Sequence, residues 1–411
     1  MLNINRPYWF TTGTTPEWEF VCSLPDKVPN LIIGAGVAGL LVGIELALKG
    51  QNCLILDNNI PGTRSSAKSD GMLFSAPINL NHFFNEISVA EQVKSMALGK
   101  LNLQLCKSVL NQYSTDNWCD INYWGSIRIA NDIAQKNILD ELCKIYHYLK
   151  TDSVILNAQT FKNITNIRFS HSAIYCPTDI SLNPLLLVNG LVNMNRALGN
   201  KILGGFHFTN FNENGEVAVT DIYGNLIFTD NLIITLGAFT KQTNIQQIKA
   251  HLQSKRIQYI TSLKHVNKDL TSVGPCNYVV GDGDEYFRLH NDRVIYGGCH
   301  NTLPDKELEI MADFKVSPQI ANILFGLMAY RIDCIKTNDT DFIWTRNIAE
   351  SKDKMPIVGK IPGYNNTYVS TGFGSHGLSY QFVAAKILAN QILGNKELIY
   401  GSDILDPTRF I

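Results

Sequence analysis

Between Leu31 and Leu48 the chain reads LIIGAGVAGLLVGIELAL, a short apolar run broken by glycines and then continued with helix-like spacing. A second apolar run, CLILD, ends at Asp57. This pattern predicts strand, tight turn, helix, strand. Gly34-Ala35-Gly36-Val37-Ala38-Gly39 stands where the first strand passes into the helix, the context that gives this otherwise common spacing a physical meaning. Gly34 makes the turn, Gly36 lets a pyrophosphate approach the backbone, and Gly39 lets helix and strand pack closely. Unpaired amides of the first helical turn, at Val37 and Ala38, offer the phosphates a partial positive charge. Asp57, eighteen residues past Gly39, is placed to accept from ribose hydroxyls. The plainer alternative is a tight turn and a surface aspartate. A membrane-spanning helix is disfavoured, because the segment carries Gly34, Gly36, Gly39 and Gly43 and the carboxylate of Glu45.

The 411 residues suit two domains or one elaborated domain. Hydrophobic residues make up 45% and charged residues 17%, against a usual charged share of about 25%. That composition describes a well-buried globule and excludes disordered, coiled-coil and collagenous classes. Thirty-five basic against thirty-six acidic residues leave a net charge of -1, so no nucleic-acid or anionic-lipid partner is expected from the overall field. Nine scattered cysteines form no C-x-x-C pair and read as reduced, mostly buried thiols. His290, His300 and the other histidines show no metal-ligand spacing, and no metal site is expected. The first twenty residues lack a basic region followed by an apolar one, so a cytoplasmic location is expected.

Residues 1–28 mix aromatics with Thr, Gly and Pro and read as an extended arm packed on a domain surface. Helices are predicted over about 82–112, 131–149, 184–198 and 305–330, with an aromatic strand over 121–130 and irregular chain over 154–180. A hairpin at 216–229 leads to a buried strand at 231–239, and four strands between 256 and 300 alternate as an antiparallel sheet. Dinucleotide-type pattern therefore returns twice along the chain. This implies a discontinuous pair of domains, one from 29–90, 180–245 and 345–400, the other from 91–179 and 246–344, with a tail at 401–411.

Further motifs follow the second strand. Ser65-Ser66-Ala67-Lys68-Ser69-Asp70-Gly71 stands where a loop like G-A-S-G-R-N-x-G would, and Asn183-Pro184 opens a helix. NLIITLGAFT places Gly237 at a turn. Trp344-Thr345-Arg346 precedes Ser351 to Gly359, and Ser370-Thr371-Gly372-Phe373-Gly374-Ser375-His376-Gly377 precedes the last long helix. Along nearly the whole chain this series resembles the D-amino-acid oxidase family of FAD-dependent oxidoreductases, the group containing glycine oxidase and sarcosine oxidase. Lys68 and Ser69 depart from the family loop, and the spacing from Arg346 to Pro356 is about two residues longer than the family's W-x-G-x-R-P-x-T-x-D-G-x-P-x-I-G.

The resemblance implies an α/β fold: a Rossmann-like FAD-binding domain of the glutathione-reductase type, with a discontinuous α+β substrate domain on a mostly antiparallel sheet. It implies FAD contacts from Ser65, Ser66, Gly71 and Met72, from Phe208 and Gly237, and from Gly372, Gly374, Ser375, His376, Gly377 and Leu378. Glycines before a helix also aim amides at an anion, as the reduced flavin requires, although a plain capping turn would look the same. No histidine precedes His82, and the surroundings of Cys334 do not match an attachment site, so FAD is expected to be noncovalent.

The resemblance assigns Arg346 to a substrate carboxylate, which a planar guanidinium can grip with two hydrogen bonds. A structural ion pair with Asp353 or Glu350 is the alternative. Tyr286 and Arg288, on the strand EYFRL, are secondary site candidates or ordinary sheet residues, and His376 either faces the flavin or caps its loop. The function implied is oxidation of the C–N bond of an amino acid or secondary amine, by hydride transfer to flavin N5, with hydrolysis of the imine. Oxygen would then reoxidise the flavin and give hydrogen peroxide. Other readings are a dehydrogenase serving an electron carrier, a tRNA-modification-type oxidase, and a flavin-binding protein without catalysis.

Overall fold

Two nine-stranded sheets dominate the computed structural model, which describes residues 2–113, 117–165, 167–168, 171–264, 273–303, 307–309, 315–395 and 397–411. In the first sheet the strand Lys27–Ile33 lies between Leu54–Leu56 and Leu226–Ile234, parallel to both. Leu31, Ile32 and Ile33 are all buried, as a parallel strand covered on both faces requires. Lys201–Gly204 extends the sheet beyond Leu54–Leu56, and Thr367–Thr371 runs parallel to Leu226–Ile234. The helices Pro184–Ala197 and Gly377–Ile392 pack against Val37–Ala47, the helix that the first glycine run opens. Phe208–Asn214 adds a strand absent from the sequence reading, and the hairpin expected at 216–229 and strand expected at 231–239 become Glu216–Asp221 and one continuous strand, Leu226–Ile234, that ends before the turn Gly237–Gln242.

The second sheet is mostly antiparallel, in the order Asn3–Ile4, Thr340–Ser351, Leu252–Ser262, Arg293–Gly298, Glu285–His290, Asn277–Val280, Ser126–Ile129, Ser172–Cys176, Val154–Asn157. Its register decides which side chains meet. Trp344 pairs with Tyr259, Arg346 with Ile257 and Ile348 with Lys255; Gly297 pairs with both Tyr259 and Tyr286. Directly opposed residues share a face. One face therefore carries Trp344, Arg346, Glu350, Lys255, Tyr259 and Tyr286. The other buries Ile260, Phe287, Tyr296 and Ile343 in a separate core with the helix Pro318–Arg331.

Several elements differ from the sequence reading. The opening segment is no surface arm: Asn3–Ile4 joins the second sheet, Glu19–Phe20 joins the first, and Trp9 is fully buried. Residues 154–180 hold the strand Val154–Asn157, the helix Ala158–Ile164 and the strand Ser172–Cys176; Asn157 caps the helix by accepting from the Thr160 amide at 2.8 Å. The expected helix from 305 begins only at Pro318, behind the Ser317 cap, because Glu307 and Glu309 adopt φ of 54° and 57°; residues 304–306 and 310–314 lie outside the described residues. The strand expected over 121–130 is confined to Ser126–Ile129, following Gly125 at φ 77°. Among the described residues no helix is long and apolar enough to cross a membrane. Five of the nine cysteines are buried and Cys22 is exposed.

Candidate functional site

The C-terminal ends of Lys27–Ile33, Leu54–Leu56 and Leu226–Ile234 open onto a cavity of about 340 Å³. The three glycines of the first run do different things there. Gly34 has φ 108°, and a Cβ on it would lie 2.6 Å from the carbonyl oxygen of Thr235, whose hydroxyl donates to the Gly34 carbonyl at 2.7 Å. A Cβ on Gly39 would lie 2.0 Å from the Gly34 oxygen, so this residue serves helix-to-strand packing. A Cβ on Gly36 would meet only Ser66 Oγ, at 3.0 Å; otherwise it would project into the cavity. Val37 and Ala38 line the same wall, with the Val37 amide donating to Ser66 Oγ at 3.1 Å. Asp57 accepts from the Ala35 amide at 2.8 Å and the Asn59 amide at 2.9 Å, while burial pushes its carboxyl above the ordinary value. Phe208 borders this end, beside Arg64, which sits 4.5 Å above the Phe239 ring.

Gly237, Gly372, Gly374, Gly377 and Leu378 line the opposite wall. Gly237 has φ 54° and open space where a Cβ would stand. Thr371 Oγ1 donates to the Gly237 carbonyl at 3.2 Å and joins the two turns. Ser375 lies half-buried in the turn Gly374–His376, and the side chain of His376 is outside the described residues.

The strand Thr340–Ser351 supplies a third wall through Arg346, Asn347 and Ile348, together with Ser65 and Ser69. The Ser65 hydroxyl donates to the Asn347 carbonyl. Arg346 pairs with neither suggested partner: Asp353 takes Arg409 at 2.7 Å, and Glu350 takes Lys255 and Lys354. Its Nη2 instead stands 3.6 Å from Asp70 Oδ2. Arg346 Nε donates to Tyr259 Oη at 2.8 Å, the Tyr259 hydroxyl donates to Asp70 Oδ2 at 3.1 Å, and the Tyr286 hydroxyl donates to Tyr259 at 3.4 Å. Burial raises both tyrosines above the ordinary phenol value. Burial opposes the Arg346 charge, but Tyr259 and Asp70 outweigh it and hold the guanidinium protonated. Tyr259 stacks on Trp344 at 5.2 Å, and Gly297 makes room, since a Cβ there would lie 2.6 Å from the Tyr259 ring.

Arg288, Tyr286, Gly71 and Met72 lie behind this wall. Arg288 donates to the Asp70 carbonyl at 2.8 Å and the Leu182 carbonyl at 2.7 Å, and burial lowers it to about 10. Gly71 has φ 76°, and a Cβ there would lie 2.1 Å from the Leu182 oxygen. The Met72 amide donates to Asp70 Oδ1 at 2.8 Å. Three successive loop carbonyls are thus gripped by large buried side chains: Lys68 by Trp344 Nε1 at 2.9 Å, Ser69 by Trp9 Nε1 at 2.6 Å, and Asp70 by Arg288 Nε.

Asp70, Tyr259 and Trp9 were missed as site residues. Tyr259 is revealed only by the strand register, Asp70 stands in the Ser65 to Gly71 loop already singled out but without a sign of its partner, and Trp9 carries no local motif. The donor set fits FAD: the cradle at Gly36 is open, and the buried hydroxyl of Ser69, in the cavity wall, has no partner among the described residues.

Comparison with known proteins agrees with this fit. The profile of the family DAO, FAD dependent oxidoreductase, matches residues 31–391. Gamma-glutamylputrescine oxidoreductase of Escherichia coli strain K12 is 21% identical over 381 residues, covering 89% of this chain and 84% of its own. L-proline dehydrogenase from P. horikoshii superposes with a TM-score of 0.80 at 18% identity, over 94% of this chain and 98% of its own. Glycine oxidase from Bacillus cereus ATCC 14579 gives 0.74 at 15% identity, over 90% and 96%. The structural likenesses show a shared fold, and the family profile spans both glycine loops and the Arg346 strand. The chain belongs to the DAO family of FAD-dependent oxidoreductases.

Proposed function

We propose that this FAD-dependent oxidoreductase oxidises the C–N bond of a small amine or amino acid to an imine that water hydrolyses, with oxygen as final acceptor and hydrogen peroxide as product. One observation carries the reading: the sheet face bearing Arg346 and Tyr259 meets the cavity whose other walls are the two glycine loops. The names of similar proteins support the substrate class, since they act on gamma-glutamylputrescine, proline and glycine.

Bound FAD supplies the hydride acceptor. In this reading Gly36 and the first-turn amides hold its pyrophosphate, Asp57 its ribose, and the turns at Gly237 and Gly372 to Gly377 its ring system, without a covalent bond. Tyr259 and Tyr286 stay protonated through burial and are not bases; Tyr286 donates to Tyr259 and Tyr259 to Asp70, which holds the Arg346 wall in place from behind. The walls that line the cavity orient the reacting C–H bond and exclude water, and a neutral amine needs no strong base beside it. Peroxide release across a panel of amines and amino acids tests the reading. A stoichiometric yield with one member supports it, and silence from a fully FAD-loaded protein across the panel contradicts it.

A further inference from the structure

Arg346 lines the cavity, yet the guanidinium already faces a carboxylate. Asp70 Oδ2 stands 3.6 Å from its Nη2, and Tyr259 bridges the two groups by hydrogen bonds of 2.8 and 3.1 Å. The side chains of Arg346 and Asp70 are 9% and 13% exposed, so water screens their charges only weakly. Asp70 cannot readily turn away. Its Oδ1 accepts from the Met72 amide at 2.8 Å, and Trp344, Trp9 and Arg288 hold the carbonyls of residues 68, 69 and 70.

We propose that Asp70 is a built-in carboxylate that occupies Arg346 and sets the site against substrates bearing a carboxylate on the reacting carbon. The preferred substrate is then an amine, not an α-amino acid. This inference rests on the amine-oxidising reading above and narrows its substrate class. An incoming carboxylate that reached Arg346 would stand beside Asp70, and like charges brought together in a dry site work against the wrong ligand. Arg288 offers no substitute, because its Nε and Nη2 donate to backbone carbonyls behind the wall. The other cationic cluster near the cavity is Lys255 and Lys354, both paired with the Glu350 carboxylate, where a Cβ on Gly374 would lie 3.1 Å from Glu350 Oε1. Lys354 is its more exposed member, at 24%.

The test compares cyclopentanecarboxylate with its neutral isostere cyclopentanecarboxamide, each titrated calorimetrically into the flavin-loaded protein. The wild type should bind the carboxamide at least as tightly as the carboxylate. Asp70→Asn should shift the ratio towards the carboxylate by about tenfold or more, and adding Arg346→Gln should cancel the shift. A wild type that prefers the carboxylate about tenfold overturns the proposal, as does an Asp70→Asn protein with an unchanged ratio or no binding of either probe. If a wild-type preference for the carboxylate disappears in Lys354→Met but survives Arg346→Gln, the anion sits at the lysine cluster and the proposal falls. Should Asp70→Asn fail to fold, Arg346→Gln in the wild-type background decides, because it should not weaken the carboxylate. Loss of the broader reading would show separately, as flavin that no amine or amino acid reduces, whereas the binding ratio reports on Asp70 without turnover.

Discussion

Trp9 Nε1 donates to the carbonyl oxygen of Ser69 at 2.6 Å, tying the buried start of the chain to the loop that borders the cavity. The same indole lies 5.0 Å below the guanidinium of Arg288, which holds the next carbonyl. Trp9→Phe keeps an aromatic ring but shrinks it and removes the donor. We predict a loss of at least about 1–3 kcal/mol in stability, the cost of leaving a buried polar group unpaired, with the void left by the smaller ring adding to it. Weaker FAD retention should accompany it. Urea unfolding and flavin release on dilution check this, and an unchanged pair of values would show that the loop does not need the bond.

Gly36 and Gly39 should fail in different ways. Gly36→Val places a side chain where only Ser66 Oγ is near, so the variant should fold but lose FAD. Gly39→Ala drives a methyl group to 2.0 Å from the Gly34 carbonyl, so it should lose about 1–3 kcal/mol or more of stability before any question of binding arises. Thermal melts with flavin-to-protein absorbance ratios separate the two. A folded Gly36→Val protein with full flavin would misplace the pyrophosphate.

Acid precipitation should release the flavin into the supernatant. Cys334 packs with the core on the sheet face opposite Arg346. Yellow pigment retained in the washed pellet would contradict noncovalent binding.

The glycine loops were legible in the sequence because their constraint is local: a turn, a close approach and a helix start within six residues. The Arg346 environment was not. Its partners depend on how Leu252–Ser262 and Thr340–Ser351 align, strands separated in sequence by nearly eighty residues, and on Gly297 leaving space for two tyrosine rings. Charge near Arg346 in sequence suggested Asp353 or Glu350, but Glu350, on the same face, is taken by Lys255 and Lys354, and Asp353 lies past the strand's end, where Arg409 from the C-terminal tail claims it. Trp9 was invisible for a similar reason, since the segment around it repeats with no period and its burial comes wholly from tertiary contacts.

Acid should destabilise the fold from near neutrality. Burial, with the ammonium groups of Lys255 and Lys354 nearby, lowers His300 from 6.5 to about 4. The neutral ring therefore contributes stability that is complete above 6.5 and lost as pH falls towards about 4, by up to about 1.4 kcal/mol per pH unit. Burial opposes the charge of Glu350, but Lys255 and Lys354 bring it down from 4.5 to about 2, so its contribution is present above 4.5 and lost as pH falls through about 2. Thermal midpoints should decline below pH 6.5, and His300→Gln should flatten the upper part of that decline. Parallel profiles for the two proteins would remove His300 from the account.

The most direct measurement is anaerobic mixing of the flavin-loaded protein with amines and matched amino acids, followed optically, and then admission of oxygen with peroxide assay. The account predicts that an amine bleaches the oxidised-flavin absorbance, that oxygen restores it, and that one peroxide appears per flavin reoxidised. A spectrum unchanged by every amine and amino acid, in a protein carrying its full complement of FAD, would contradict it.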